Sequence, residues 1–493
     1  DITDTSSSTV VVGGTGTFNA ANVSLTSANN DFATFASTAG MVTVNDTNAI
    51  DLGDVNAASL TVTAGGNVTD SGTITIGDFV TVNATGSDVT LDTLSNDLGI
   101  FNATANNVAV SVDSNLALGA ITASALTVNA VNDVTQSEVL TIGSADITSS
   151  SGDITLNLAN DFTSIALSGG DVSITDVNGV VLAGLTATNA SVNAGGNISQ
   201  SLAVNVTGTG TFTTTGDVGL TLTTNDFGTF AASGTTVSVN DASALDLGNI
   251  SASTLNVTAG GDVTDSGTLD VSGATTISAV ANDIVLNTLD SNFGSLAATA
   301  DNITVTDEDG INLGTITATN LTLNTSGAIF DLGTVDVSGT ATFNAGNNEV
   351  SLDTADNNFG TLSATSSALN IVDEDAIILG DITAVSSVIT AGGDITDSGT
   401  LEIAGGATFN AGANDVTLDT ATNDLNTLWA TANNVFVNDE NALMLSTINA
   451  TNVTLVTGGN VTQATSSTIE NLTVTATGSD VVLTAANNFD TLS

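Results

Sequence analysis

The sequence predicts an all-β protein, a parallel β-helix (β-solenoid), on three observations. One motif returns about every 65 residues along the whole chain, and such a period is the signature of a repeat architecture. Apolar residues alternate with polar ones over short stretches, which is the pattern of half-buried strands. The 493 residues include no proline, as expected where nearly every backbone N–H donates to a neighbouring turn.

The repeat is clearest at residues 255–269, LNVTAGGDVTDSGTL. Its copies begin at positions 60, 126, 190, 255, 321, 387 and 453, so the spacing is nearly constant. Two apolar series keep the same period, which indicates core positions that tolerate related shapes. The first series is Phe32, Leu98, Phe162, Phe227, Phe293, Phe359, Leu425 and Phe489, each after Asn-Asp or a near variant. The second is Phe18, Val82, Ile147, Phe212, Ile277, Phe343, Phe409 and Val474.

Each repeat divides into three similar pieces, so we expect about three rungs of about 21–22 residues per repeat. Roughly 23 rungs, each rising about 4.8 Å, predict a rod roughly 110 Å long. Gly, Asn and Asp between the strands are expected to form corners with positive φ. A string of small β-sandwiches is the alternative, but it requires linkers and strands of distinct character, which the uniform pieces lack.

The predicted domain organisation is a single continuous solenoid over residues 1–493. Because the sequence begins at Asp1 in mid-repeat without an initiator Met, we expect it to be a segment of a longer mature protein. The predicted repeats span residues 1–31 (partial), 32–97, 98–161, 162–226, 227–292, 293–358, 359–424, 425–488 and 489–493 (partial).

The charge of the chain limits its partners. It carries 52 acidic residues and no Lys, Arg or His, giving a net charge of −52. Nothing can neutralise a phosphate, so we predict no nucleic-acid partner. No apolar run approaches the length of a transmembrane helix, so we predict no membrane insertion. Divalent cations remain as candidate partners.

Two segments carry a resemblance to a known family. Residues 60–77 (LTVTAGGNVTDSGTITIG) and 388–412 (VITAGGDITDSGTLEIAGGATFNAG) resemble the repeats of filamentous haemagglutinin-type (two-partner-secretion-like) bacterial exoproteins. The resemblance implies a right-handed parallel β-helix, secretion, and an extracellular or cell-surface rod. It covers the middle rung of most repeats and carries no binding-site residue across.

Catalytic chemistry has few candidate groups. Without His, Cys or Lys there is no conventional activated nucleophile. Paired carboxylates serve glycoside hydrolysis, but the acidic clusters at 307–309 and 373–375 recur at one point of the repeat, which favours a scaffold feature. We therefore predict a non-enzymatic protein with no catalytic residue, no cofactor-binding residue and no required cofactor.

An acidic turn recurs before an apolar strand, and two interpretations of it are open. Asp-x-Asp/Asn places two hard oxygens at i and i+2, as calcium loops do, which makes Ca²⁺ the candidate metal. The candidate ligands are Asp307, Asp309, Asp373, Asp375, Asp439 and Asp46, and similar turns begin at Asp113, Asp176 and Asp241. The alternative is that these residues form positive-φ corners and side-chain turns. We favour the alternative because no complete calcium loop is present.

The period also predicts how the acidic turns are spaced. If they recur every third rung, they lie about 14 Å apart, beyond the Debye length of about 8 Å at physiological salt. The repeat would then separate the charges of an all-acidic solenoid.

The leading functional prediction is a structural rod or fibre of a secreted bacterial cell-surface or extracellular-matrix protein, serving as adhesin stalk, sheath or filament. One alternative is a self-assembling filament subunit that stacks end to end, since uncapped rungs present open strand edges. Another is a carbohydrate-binding or ice-binding solenoid, with cell-surface glycans among its partners. Outward positions vary from copy to copy, which favours the structural role.

Overall fold

A computed structural model describes residues 1–493, and its secondary structure consists of strands without any helix. The chain divides into two compact units, Asp1–Ala242 and Ser243–Ser493. The paired strands within each unit run parallel. The predicted β-solenoid is therefore confirmed, with about 26 turns in total. A single solenoid running through residues 1–493 stays a prediction.

The first unit contains strands β1 to β22. In chain order they are Ile2–Thr3, Val11–Asn19, Asn22–Leu25, Asp31–Thr38, Met41–Asp46, Ile50–Ala64, Val68–Asp70, Ile74–Asn83, Val89–Leu91, Asp97–Thr104, Asn107–Val112, Leu116–Ala130, Val134–Gln136, Thr141–Ser149, Ile154–Ser168, Asp171–Asp176, Val180–Ala187, Asn189–Ala194, Ile198–Gln200, Val204–Thr214, Val218–Leu220 and Asp226–Asp241.

The second unit contains strands β23 to β45. In chain order they are Leu245–Ala259, Val263–Asp265, Leu269–Ala279, Ile284–Leu286, Asn292–Ala300, Asn302–Asp307, Ile311–Ala318, Asn320–Thr325, Ile329–Asp331, Val335–Asn344, Glu349–Leu352, Asn358–Asp373, Ile377–Ala391, Ile395–Asp397, Leu401–Asn410, Val416–Leu418, Asp424–Thr431, Asn434–Asp439, Leu443–Thr457, Val461–Gln463, Thr468–Ala476, Val481–Val482 and Thr491–Leu492.

The core of each unit is a stack of inward apolar side chains from successive turns. Strand Asp171–Asp176 illustrates the alternation, since every second residue is buried and the residues between them are partly exposed. Inward phenylalanines stack where repeats supply them: Phe212 lies 5.5 Å from Phe230, ring centre to ring centre, and meets Phe227 edge to face. Each turn thus buries its apolar face against the turns on either side.

The turn is shorter than the sequence predicted. The spacing of register partners on neighbouring turns varies, from the closely spaced Asn160 and Asp176 to the widely spaced Glu402 and Asp424. Four successive register steps lead from Ile311 to Ser387, through positions 329, 350 and 369. These four turns average about 19 residues each, which corrects the expected length of about 21–22.

The repeat is therefore not a whole number of turns. Each turn presents three apolar segments, and the repeat that begins at position 377 contains ten, at 377–379, 382–384, 387–391, 395, 401–403, 407–411, 416–418, 423–425, 428–432 and 435–439. One repeat covers about three and a third turns, in place of the three that were expected.

Equivalent residues consequently advance by one segment around the solenoid with each repeat. Leu321 is in register with Ala341, Leu362 and Leu379 on the following three turns. Its equivalent in the next repeat, Ser387, lies in a different stack. The same four-turn path joins residues 50 to 126, 116 to 190, 245 to 321 and 377 to 453. Within each unit, equivalent residues of successive repeats therefore lie on different sides of the solenoid.

Most corners do not use positive φ, contrary to expectation. Ala281 is the one non-glycine residue with positive φ, and the glycines with positive φ are Gly86, Gly184, Gly346, Gly412 and Gly478. None of these belongs to the Ala-Gly-Gly corner of the repeat. At that corner glycine is needed for close approach: a Cβ on Gly392 would collide with the carbonyl oxygen of Glu374 on the preceding turn.

Candidate functional site

The acidic corner is the candidate site, and its leading Asp is buried in six repeats. Asp46, Asp176, Asp241, Asp307, Asp373 and Asp439 are 1–5% exposed. In each, Oδ2 accepts the backbone N–H of the residue fourteen positions earlier, on the preceding turn, at 2.6–2.8 Å. These donors belong to the Phe32 series of the sequence. The two recurring markers are therefore one structural element, a carboxylate that fastens a turn to its neighbour.

The second oxygen of the same carboxylate closes the corner. In Asp373, Oδ1 accepts the N–H of Asp375 at 3.0 Å, and Asp307 binds Asp309 in the same way. This bond from i+2 back to the side chain at i is a side-chain turn. The structure thus supports the side-chain turn of the second interpretation, without the positive φ that was proposed with it.

The environment of this carboxylate disfavours its charged form. Burial raises the pKa of Asp46, Asp176, Asp307, Asp373 and Asp439, because desolvation of the charged form outweighs the two N–H donors. Around Asp373 the neighbouring charges of Asp375 and Glu374 add to the rise of the pKa. With no Lys, Arg or His in the chain, no side-chain cation offsets it.

The candidate calcium ligands do not converge on one point. Asp309 and Asp375 are exposed beside their buried partners, and Asp309 accepts a hydrogen bond from the Asn292 side chain at 3.1 Å. Asp307 is in register with Thr325 and Asp373 with Ala391. The structure contains no group of three or more acidic side chains placed to hold a metal ion. Calcium binding at Asp46, Asp307, Asp309, Asp373, Asp375 and Asp439 stays a prediction.

One repeat lacks the buried carboxylate. Val112, fully buried, occupies the position equivalent to Asp46, while Asp113 is exposed one residue later. The acidic turn proposed at Asp113 is therefore displaced by one residue. Beside this corner the Ser114 hydroxyl donates to Asp97 at 2.7 Å, as the Asn48 side chain donates to Asp31 in the repeat of Asp46. The chain thus contains its own apolar variant of the corner.

The expected column of acidic turns is also corrected. Because a repeat covers three and a third turns, the corner of the next repeat lies about 16 Å further along the axis at about 4.8 Å per turn. It also lies one segment around the solenoid, as the register of Leu321 and Ser387 shows for that repeat. Neighbouring acidic corners within a unit are therefore separated in both directions.

A second polar element was missed by sequence reasoning. A completely buried Asn stands just before the Phe32-series residue in six repeats: Asn30, Asn96, Asn160, Asn225, Asn357 and Asn423. Each Asn donates from Nδ2 to an Asp or Gln one turn earlier, at 2.6–3.0 Å. Its Oδ1 accepts a backbone N–H, such as that of Ile74 at 2.8 Å. A buried polar group is thereby satisfied within the core wall.

The sequence contained a signal for this pair. The residue that closes the Val-Thr segment of the motif is always Asp or Gln, at 70, 136, 200, 265, 331, 397 and 463. Both side chains offer an acceptor to the Asn amide, which explains why they interchange. In the one repeat where Ser291 replaces the Asn, its hydroxyl accepts the N–H of Leu269 at 3.1 Å.

The comparisons with known proteins give a family and no closer relative. A family model described as repeats of unknown function (DUF5649) matches residues 1–39, 39–104, 105–168, 169–233, 234–300, 300–366, 366–431 and 432–493. Neither a curated protein nor a solved structure matches the chain. The structure has no helix that is long and apolar enough to cross a membrane.

Proposed function

The chain belongs to the DUF5649 family of repeats, and we propose that it forms the structural rod or fibre of a secreted bacterial protein of the cell surface or extracellular matrix. In this role it is non-enzymatic and serves as an adhesin stalk, sheath or filament. The resemblance of its repeats to filamentous haemagglutinin-type exoproteins supports the extracellular placement.

One observation carries the proposal: the repeats share a set of buried hydrogen bonds, with a buried Asp corner in six of them and a buried Asn in six. Buried Asp corners and buried Asn pairs recur once per repeat in both units, together with the apolar stack. The outward positions follow no such rule. One outward stack reads Asn312, Phe330, Ser351, Asn370, Val388, Thr408 and Trp429. A constant interior with a variable exterior is what a load-carrying rod requires, whereas a repetitive ligand surface requires the reverse.

The charge supports the same role. All 52 ionisable side chains are acidic, so neighbouring rods repel one another and stay dispersed. Repulsion between neighbouring rods weakens their lateral association.

Electron microscopy of the purified chain tests the rod. If the two units continue as one solenoid, about 26 turns at about 4.8 Å each predict straight particles about 125 Å long. Fibres many times that length would favour the end-to-end filament. Two beads joined at a variable angle would contradict a continuous rod.

Antibody labelling of intact cells tests the location. We expect antibodies against the chain to label unpermeabilised cells or the material around them. Labelling that requires permeabilisation would contradict the extracellular placement.

A further inference from the structure

The acidic corner of one repeat contains a chemically reactive pair of residues. In the six repeats with the buried Asp, the third residue after it is Ala at 49, 244, 376 and 442, and Gly at 179 and 310. Gly179 follows Asn178, and this is the only Asn-Gly step in the chain. Asn before Gly favours spontaneous deamidation, because Gly has no side chain to shield its backbone nitrogen and its backbone dihedrals are the least restricted.

The two groups that would react are both unengaged. The Asn178 side chain is exposed and makes no hydrogen bond within the chain, and the Gly179 N–H donates to no protein acceptor. Only the backbone of Asn178 is held: its N–H donates to Asp176 Oδ1 at 2.8 Å, and its carbonyl accepts the Gly196 N–H at 2.8 Å. The side-chain amide can therefore turn toward the Gly179 nitrogen.

The chain contains a matched corner without the glycine. Asn441 is also exposed, its N–H donates to Asp439 Oδ1 at 3.0 Å, and its side chain makes no hydrogen bond within the chain. The residue after it is Ala442. The two corners thus differ at the residue whose nitrogen would attack the amide.

We propose that Asn178 is a site of spontaneous deamidation and isomerisation. The Gly179 nitrogen loses its proton to solvent and attacks Cγ of Asn178. The bond from Cγ to Nδ2 breaks, and Nδ2 leaves as ammonia after taking a proton from water, which gives a cyclic succinimide. Water then opens the ring at one of its two carbonyls and yields either Asp or isoaspartate. The net reaction consumes one water, releases one ammonia and needs no enzyme.

The modification changes the corner in two ways. Either product adds a negative charge beside the buried Asp176. Isoaspartate also lengthens the backbone by one methylene and displaces the carbonyl that accepts the Gly196 N–H. The turns pack closely there, since a Cβ on Gly195 would collide with the carbonyl oxygen of Val177. Isomerisation of Asn178 therefore loosens the contact between these two turns, and the Gly196 amide should exchange faster with solvent.

Incubation of the folded full chain at neutral and at mildly alkaline pH tests the proposal. The aged chain is unfolded in urea and cut with a protease that cleaves before Asp, since the sequence has no Lys or Arg for trypsin. Peptide 176–216 reports on Asn178, and peptide 439–479 reports on Asn441. Asp at position 178 creates a new cleavage site, whereas isoaspartate has the same mass as Asp and resists cleavage. We expect Asn178 to convert before Asn441, and faster at the higher pH because the nitrogen must lose its proton.

Two variants exchange the corners. Gly179→Ala introduces the residue that most repeats carry and should abolish the conversion of Asn178. Its Cβ would lie 2.9 Å from the Asn197 carbonyl oxygen, so Ala442→Gly, which only removes atoms, provides an independent test. Ala442→Gly should make Asn441 convert at the rate of Asn178.

Three results would overturn the proposal. Asn178 could keep its amide as long as Asn441 does, or convert at an unchanged rate in Gly179→Ala. Conversion of Asn178 only in chain kept unfolded in urea would show that the folded corner prevents the reaction. Conversion in the folded chain that follows Gly at both corners supports the proposal. The rod function does not depend on any of these results.

Discussion

Truncating one buried carboxylate should loosen one turn of the solenoid. In Asp373→Ala, the Phe359 N–H loses its acceptor at 2.8 Å and the Asp375 N–H loses its acceptor at 3.0 Å. Phe359 is fully buried, so its unpaired N–H costs about 1–3 kcal/mol. The Asp375 N–H lies at an exposed corner, where water replaces most of the lost bond.

Relief of repulsion reduces the net effect. Removing a buried negative charge beside Glu374 and Asp375 relieves repulsion and offsets part of the stability lost with the hydrogen bonds. We therefore expect a net destabilisation of about 2 kcal/mol at pH 7. Asp373→Asn keeps one carbonyl acceptor and should cost about half as much. Glu374→Ala is the matched control; its exposed charge should change the free energy of unfolding by about 0.5 kcal/mol or less.

Urea unfolding combined with amide hydrogen exchange checks this prediction. Because repeat proteins can unfold in parts, the exchange of the Phe359 amide gives the local reading. It should exchange faster in Asp373→Ala and stay protected in Glu374→Ala. If both variants behave alike, the buried carboxylate does not fasten the turn. Chelation with EDTA should leave the wild type unchanged; a loss of stability on chelation would support calcium at Asp373 and Asp375.

Three further predictions concern acid, salt and the glycine corner. Burial raises the pKa of the corner aspartates above the unfolded value of 3.8. Between pH 3.8 and this raised pKa, the folded chain therefore binds more protons than the unfolded chain. Stability should rise as pH falls from 7 toward about 4, and a Tm that falls over this range in thermal scans would contradict the sign. Sodium chloride at about 0.5 M should raise Tm, because salt screens the repulsion between the carboxylates. In thermal scans at constant pH, potassium chloride should raise Tm by the same amount. Gly392→Ala should destabilise by about 2 kcal/mol or more, because its Cβ meets backbone, whereas Gly77→Ala, in open space, should be neutral in urea unfolding.

The sequence was sufficient for the fold class and for most of the core. Alternation and the missing proline reflect backbone pairing directly. The Phe32 and Phe18 series proved to be buried positions, except that Phe18, Val474 and Phe489 are partly exposed. It was also sufficient for the side-chain turn at the acidic corner, because the Asp-x-Asp/Asn spacing matches that bond.

The length of a turn could not be obtained in this way. Self-similarity gives the distance between equivalent residues, but it does not show where the chain closes a turn. Nothing in the sequence distinguishes three rungs per repeat from three and a third, since both place apolar segments at regular intervals. The difference appears only in the register, for example where Leu321 stacks on Ala341.

The buried polar residues were missed for a related reason. Asn96 reads as a turn residue in sequence, and its role depends on Asp70 lying one turn earlier. Without the turn length that pairing cannot be found. The displaced corner at Asp113 has a different cause. The apolar Val112 occupies the buried corner position, and a search for acidic residues does not find it.

Disulfide cross-linking tests the turn length most directly, since the chain has no native Cys. Thr304 and Thr322 are register partners on neighbouring turns, about 4.8 Å apart at Cα, which suits a disulfide. The register predicts that the pair Thr304→Cys and Thr322→Cys oxidises to an intramolecular disulfide, measured by mass spectrometry and thiol titration. The longer rung that the sequence predicted would instead pair Thr304 with Ser326. Efficient cross-linking of Thr304→Cys with Ser326→Cys, and none with Thr322→Cys, would contradict the repeat of three and a third turns.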